Sequence, residues 1–227
     1  MRVSFRRFHG MHRHLSSPLE LLKHSIMAVP WRPLAPAAGL AAILAWVIPR
    51  QPADLEARHL PLRLGLTTAA MWVAFLFDDP ASTLTDATPT RLWIRRSVRV
   101  VVGVVPWAGA VAILLTATGW GLEAPGQPVP AGRFMLEAGT LAIWALATAS
   151  VISRNREEEP GWLAAVTILS LSATAWIIPQ PAHPWSLPGR PNWDTVGRWW
   201  SVALAIGVVV TVVTSWDSRH GHTRQAR

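Results

Sequence analysis

The chain has 227 residues, 51% of them hydrophobic and only 15% charged, more apolar content than one soluble core of this size needs, so part of it must face lipid. It contains no cysteine, which excludes disulfides, thiol nucleophiles and thiolate metal sites, and its single lysine, Lys23, excludes a Walker-type phosphate loop. The net charge of +8 is distributed among short segments rather than grouped on one surface, which argues against nucleic acid as a partner.

Residues 1–32 form a basic tail with Arg2, Arg6, Arg7 and Arg13 and without the apolar region and small-residue cleavage site of a secretory signal. Within it, Ser17-Pro18-Leu19-Glu20 reads as a capping box, and Leu19, Leu22 and Ile26 share one face opposite Glu20, Lys23 and His24. That pattern predicts a short amphipathic helix in the membrane interface, either mechanically linked to the bundle or simply steadying the entry of the first span.

Six apolar stretches follow, at residues 33–49, 60–77, 98–118, 134–152, 162–178 and 199–216. Each has about the length a helix needs to cross the hydrocarbon, roughly 17 to 25 residues. The expected fold is therefore all-α, a polytopic integral membrane protein with six transmembrane helices over 33–216 and a second basic tail at 217–227. The first span is the weakest, crowded by Pro33, Pro36 and Pro49. Fifteen of the 21 basic residues fall on the side of the amino terminus; Arg50, Arg58, Arg63, Arg133, Arg190 and Arg198 fall on the other. By the positive-inside rule both termini are cytoplasmic and the chain is a multi-pass protein of the bacterial inner membrane.

Between spans 2 and 3, Asp78-Asp79-Pro80 and Thr88-Pro89 each set a capping side chain before a proline, predicting two short helices at 80–87 and 89–97. The second carries Arg91, Trp93, Arg95 and Arg96, with Arg99 just beyond. This cationic elbow either docks on a cytoplasmic partner, with Asp78 or Asp79 pairing to Arg95, Arg96 or Arg99, or anchors to anionic headgroups while the aspartates cap helices. In span 3, Gly103, Pro106 and Gly109 predict a bend or a close helix approach.

Glu137 is the exceptional ionisable residue within the spans, about one turn into span 4. Two readings stand: a buried proton or cation site, or an interfacial cap facing water at the positive end of its helix. Trp72, Trp107 and Trp144 fall deep enough to pack between helices, whereas Trp31, Trp46, Trp120, Trp162, Trp176, Trp199, Trp200 and Trp216 lie near span ends. The echo of Ala45-Trp46-Val47-Ile48-Pro49 in Ala175-Trp176-Ile177-Ile178-Pro179 is either an internal repeat or similar boundary chemistry. Between spans 5 and 6, Pro179, Pro181, Pro184, Pro188 and Pro191 exclude a long helix. There Trp185, Trp193 and His183 predict a segment lying on the outer surface or dipping into it, as an exit gate or a structural lid.

The histidines lack acidic or cysteine partners at ligand spacing, and no serine, histidine and acid set converges, so no metal, cofactor or enzymatic activity is expected. The layout resembles the membrane subunit of type-2 ATP-binding-cassette exporters: cytoplasmic termini, an interfacial helix before span 1, a helical loop between spans 2 and 3, and an outer elaboration between spans 5 and 6. The Asp78 to Ala81 segment, followed by Ala87-Thr88-Pro89-Thr90, is also similar to actinobacterial six-span transporter-like membrane proteins. The resemblance implies that Asp78, Asp79, Arg91, Trp93, Arg95, Arg96 and Arg99 form the region coupling to a separate cytoplasmic ATP-binding subunit. It further implies that Leu19, Leu22 and Ile26 lie on the connecting helix, and that the chain exports a hydrophobic or amphipathic compound as a homo- or hetero-dimer. The competing reading is a non-transporting assembly, anchoring or sensory protein.

Overall fold

The computed structural model describes residues 31–52, 54–78, 92–119, 130–154, 160–179 and 182–216. Among these the chain is helical throughout, with α1 Trp31–Val47, α2 Leu55–Ala74, α3 Leu92–Gly119, α4 Ala131–Arg154, α5 Pro160–Ala175 and α6 Trp193–Trp216. Single 3-10 turns, Ile48–Arg50 and Phe75–Phe77, end α1 and α2. Four segments are long and apolar enough to cross a membrane: Leu55–Phe77, Ser97–Gly119, Ala131–Ser153 and Trp193–Thr214. The first and fifth apolar helices, Ala35–Arg50 and Pro160–Ala175, fall short of that length.

The helices alternate in direction. Hydrogen bonds from Trp144 to the Ala203 carbonyl and between Ser150 and Thr214 match early with early and late with late along α4 and α6, so these two run parallel. Near the start of α2, Arg58 donates to the Thr118 carbonyl near the end of α3, so α2 and α3 are antiparallel. At its far end α2 meets the start of α5, where the Gly161 amide donates to Asp78. Since α4 and α6 are parallel, α5 must return the chain over the height of the bundle between them.

α2 and α4 form the centre, with 67% and 56% of their apolar windows buried, whereas the windows of α3 and α6 are 22% and 11% buried. The residue types follow that division. Centrally placed α2 carries Arg58, Arg63 and Thr67 because protein surrounds it, while outer α6 exposes Trp199, Val202, Ile206, Val209 and Val213 along one face. One core cluster joins Trp72, Val73, Leu76, Leu146 and Ile168; another joins Ile48, Leu62, Leu66, Leu114 and Phe134 at the end where α2 begins.

Close approach depends on glycine at the seams. A Cβ on Gly65 would lie 2.8 Å from the Leu114 side chain, and one on Gly207 would lie 2.8 Å from Ile143. Gly103 packs against Leu76 in the same way, as the sequence suggested, but Gly109 faces open space. On the exposed faces, the hydroxyls of Thr68, Thr116, Thr167 and Thr174 each donate to the carbonyl four residues earlier. They therefore present no unsatisfied donor to an apolar medium.

The elbow departs from expectation. No separate helix ends at residue 97: α3 starts at Leu92 and continues without a break through Ser97 and Pro106 to Gly119. Apolar residues follow Arg99 immediately, so the helix has no boundary at which to stop. The backbone of Trp93, Arg95 and Arg96 thus belongs to α3. Asp79, Arg91, the predicted helix at 80–87 and the interfacial residues Leu19, Leu22 and Ile26 lie outside the described residues.

Candidate functional site

Arg63 and Glu137 enter their helices from the same end at similar depth. At about 1.5 Å per residue, Arg63 is roughly 12 Å beyond Leu55 and Glu137 roughly 9 Å beyond Ala131. The two side chains, 1% and 0% exposed, meet in an ion pair with Arg63 Nε 3.0 Å from Glu137 Oε2 and Nη2 3.2 Å from Oε1. Glu137 is thus enclosed by protein and bonded through both oxygens, in place of the water-facing cap. Burying two charges costs several kcal/mol per ion unless their hydrogen-bonding capacity is met. Here it is met from an unexpected source: Arg63 also donates to the backbone carbonyls of Trp185 at 2.9 Å and Ser186 at 2.6 Å.

Those carbonyls belong to the proline-rich segment between α5 and α6, which therefore dips into the bundle. Trp185 is 4% and Ser186 1% exposed. Aromatic rings fix the segment from both sides, with Trp176 stacked on Trp185 at 6.2 Å and Trp200 tilted against it at 5.1 Å. Trp200 Nε1 donates to the Pro184 carbonyl, and Ser186 Oγ to Asn192 Oδ1 at 2.7 Å. The sequence turns back at Leu187-Pro188-Gly189-Arg190, where the Arg190 amide donates to the Leu187 carbonyl and Gly189 has φ +83°. Proline at the second position and glycine at the left-handed third position are the requirements of a type II turn. An exposed Arg190–Glu56 pair at 2.9 Å joins the tip to the first turn of α2.

Arg133 completes the cluster one helical turn before Glu137. Its Nε lies 3.5 Å from Glu137 Oε1, its guanidinium sits 5.2 Å from the Trp193 ring, and its side chain is 9% exposed. Gly197 makes room for it, since a Cβ there would come within 2.5 Å of Arg133 Nη1. Arg133 Nε and Nη2 are buried without a hydrogen-bond acceptor.

His183 borders the cluster. The Trp185 amide donates to His183 Nδ1 at 3.1 Å, so the imidazole is bonded in its neutral form. Burial, aided by the positive charge of Arg63, holds its pKa below the ordinary histidine value. His59 and His183 both contact Trp176. Among the described residues, no group of three or more His, Cys, Asp or Glu side chains is placed to hold a metal ion.

At the opposite end, Asp78 Oδ1 accepts from the Gly161 amide at 2.7 Å, and Arg99 Nη1 donates to the Asp78 carbonyl at 3.2 Å. Asp78 thereby caps the amino terminus of α5 and joins α2, α3 and α5. Of the residues the resemblance assigned to coupling, the structure brings Asp78 and Arg99 together. The deep tryptophans act as packing residues: Trp72 is in the core and Trp144 bonds α6.

The positive-inside rule takes Arg63 as an orienting loop charge, although it lies inside span 60–77. The signal that could have found it is opposite charge at matched depth in two spans entered from one side. Comparison with known proteins adds nothing to this geometry, for no family model, curated protein or solved structure matches the chain.

Proposed function

We propose that the chain crosses the cell membrane six times with both ends cytoplasmic. In this reading it is the membrane-spanning subunit of an ATP-driven exporter of a hydrophobic or amphipathic compound. The parallel course of α4 and α6 supports a crossing by α5, whose 16 residues rise about 24 Å and are lengthened by the apolar turn at Trp176 and Ile177. The antiparallel arrangement of α2 and α3 supports a cytoplasmic elbow at 78–99, with the first turn of α3 extending beyond the apolar segment Ser97–Gly119.

One observation carries the export reading: Trp185, Ser186 and Asn192 of the α5–α6 segment are buried at one end of the bundle, with the Trp185 and Ser186 carbonyls on the Arg63–Glu137 pair, while the turn at Pro188–Pro191 stays exposed. A plug of this kind suits a mouth that opens to release cargo and closes again, driven by an ATPase pressing on the elbow. Charge reversal at Arg95 and Arg96 tests the drive. Variant R95E/R96E should insert normally yet lose co-purification of an ATP-binding subunit; retention of that subunit by the reversed variant would overturn the coupling.

A second reading is a non-transporting anchoring or assembly protein, favoured by the use of Arg58 and Arg63 to tie backbone carbonyls together. It predicts no ATPase partner from native membrane and no change in cellular retention of lipophilic dyes on deletion of the protein.

A further inference from the structure

Glu137 stands between two arginines of unequal satisfaction. Arg63 uses Nε, Nη1 and Nη2 on the carboxylate and on two carbonyls of the α5–α6 segment. Arg133 is ion-paired with the same carboxylate at 3.5 Å but makes no hydrogen bond through its buried Nε and Nη2, and it is held by the Trp193 ring and the space at Gly197. The other acid near Arg133 is Asp194, which is exposed at the start of α6. A buried guanidinium with unused donors is a poor resting place for a charge unless a second arrangement satisfies it.

We propose that Glu137 is an exchangeable latch, whose carboxylate passes its hydrogen bonds from Arg63 to Arg133 and thereby loosens the hold of α2 on the Trp185–Ser186 backbone. The move needs no change in the α4 backbone. Arg133 and Glu137 are four residues apart on one helix, a spacing at which side chains meet by rotation about their own bonds. After the exchange Arg133 gains hydrogen bonds to a carboxylate it now only faces at 3.5 Å, while Arg63 keeps only hydrogen bonds to the neutral carbonyls of Trp185 and Ser186. Arg63 is then an uncompensated buried charge, most easily relieved by water entering between α2 and the loop. The docked and released states thus differ in which arginine is hydrogen-bonded to the carboxylate, and the total number of charges is conserved. The latch does not depend on export: it would operate equally in an anchoring protein with a mobile outer segment.

The test uses the full chain in liposomes with a single reporter cysteine, S186C, since the sequence has no cysteine of its own and Ser186 is 1% exposed when the loop is docked. Removing the waiting partner by R133Q should slow maleimide labelling of S186C by about tenfold, the effect of one charge-assisted hydrogen bond on the open population. Removing the holding partner by R63Q should speed it. In an E137Q background the carboxylate charge is gone, so R133Q should then have no further effect. R133K keeps the charge but not the forked geometry; it should fall between the wild-type residue and R133Q, and it guards against loss of fold in the neutral variant. If Arg133 only buttresses the docked loop, R133Q will label as fast as or faster than the reference. That result, a slowing under about threefold, or the same slowing with and without the Glu137 carboxylate would overturn the latch.

Discussion

Arg63 joins a helix, a neighbouring helix and a loop through one guanidinium, and its removal has a calculable sign. Breaking an isolated buried pair by deleting one member costs about 3–5 kcal/mol; here loss of Arg63 leaves Glu137 with Arg133 3.5 Å away, whereas loss of Glu137 leaves two arginines without a carboxylate. R63M or E137L alone should therefore lower the melting temperature in detergent, E137L the more, and the double variant R63M/E137L should recover part of the E137L loss, Arg133 being left without its carboxylate. Equal damage from the double and single variants would show that the loop carbonyls, not the charge pair, dominate the energy. His183 supplies a pH dependence. Its folded pKa lies below the ordinary value of 6.5, so the unfolded chain binds the proton more readily. The stabilisation is complete above 6.5, is lost as pH falls from there through the lower folded value, and is absent below it. Thermal melting between about pH 7.5 and about pH 5.5 should register the loss, and H183Q, which keeps an acceptor for the Trp185 amide, should lessen it. None of these roles can be read from single residues: Arg63 and Glu137 are 74 positions apart, and only their matched depth hints at the bond.

At the scale of elements, the apolar runs were legible because a helix in lipid must be almost continuously apolar, and that constraint survives any tertiary context. What resisted reading was where helices end in polar surroundings. The Thr88-Pro89 signal suggested a short helix, yet α3 gathers residues 92–97 into one 28-residue element. Asp78 was legible as a cap but not as the cap of α5, which begins 82 residues later. The Gly161 amide it holds is 83 positions away in sequence. Substituting D78A should cost about 0.5–2 kcal/mol, the usual worth of an amino-terminal cap. Hydrogen exchange should show the loss concentrated in the first turn of α5, and uniform loosening of all six helices would point to a different role for the aspartate. The Pro188-Gly189 dipeptide is a turn signal that the sequence carried openly, realised as the hairpin tip of the plug.

At the scale of the whole molecule, the six helices of the described residues alternate in direction, which puts Trp31 and Trp216 at one end of the bundle. Reporter fusions at the two chain ends should accordingly agree, as should tags placed near residues 125 and 53 on the opposite face. A tag in the 155–159 link that reports with residue 53 would remove α2, α3 or α4 from the membrane and sink the proposed six-pass arrangement. The outline of such a bundle is written in composition and spacing, but its centre is not, because the helices that look least suited to lipid are the ones other helices surround. That inversion bears on biosynthesis. α2 brings Arg63 into the membrane when the chain that will neutralise it is still unmade; Glu137 leaves the ribosome 74 residues after Arg63. An arginine at mid-bilayer costs about 2.5–3.5 kcal/mol on insertion scales. Nascent α2 is therefore best sheltered beside the insertion machinery, or at the water interface, until α4 arrives, and the ion pair sets the moment at which the growing chain can be let go into lipid.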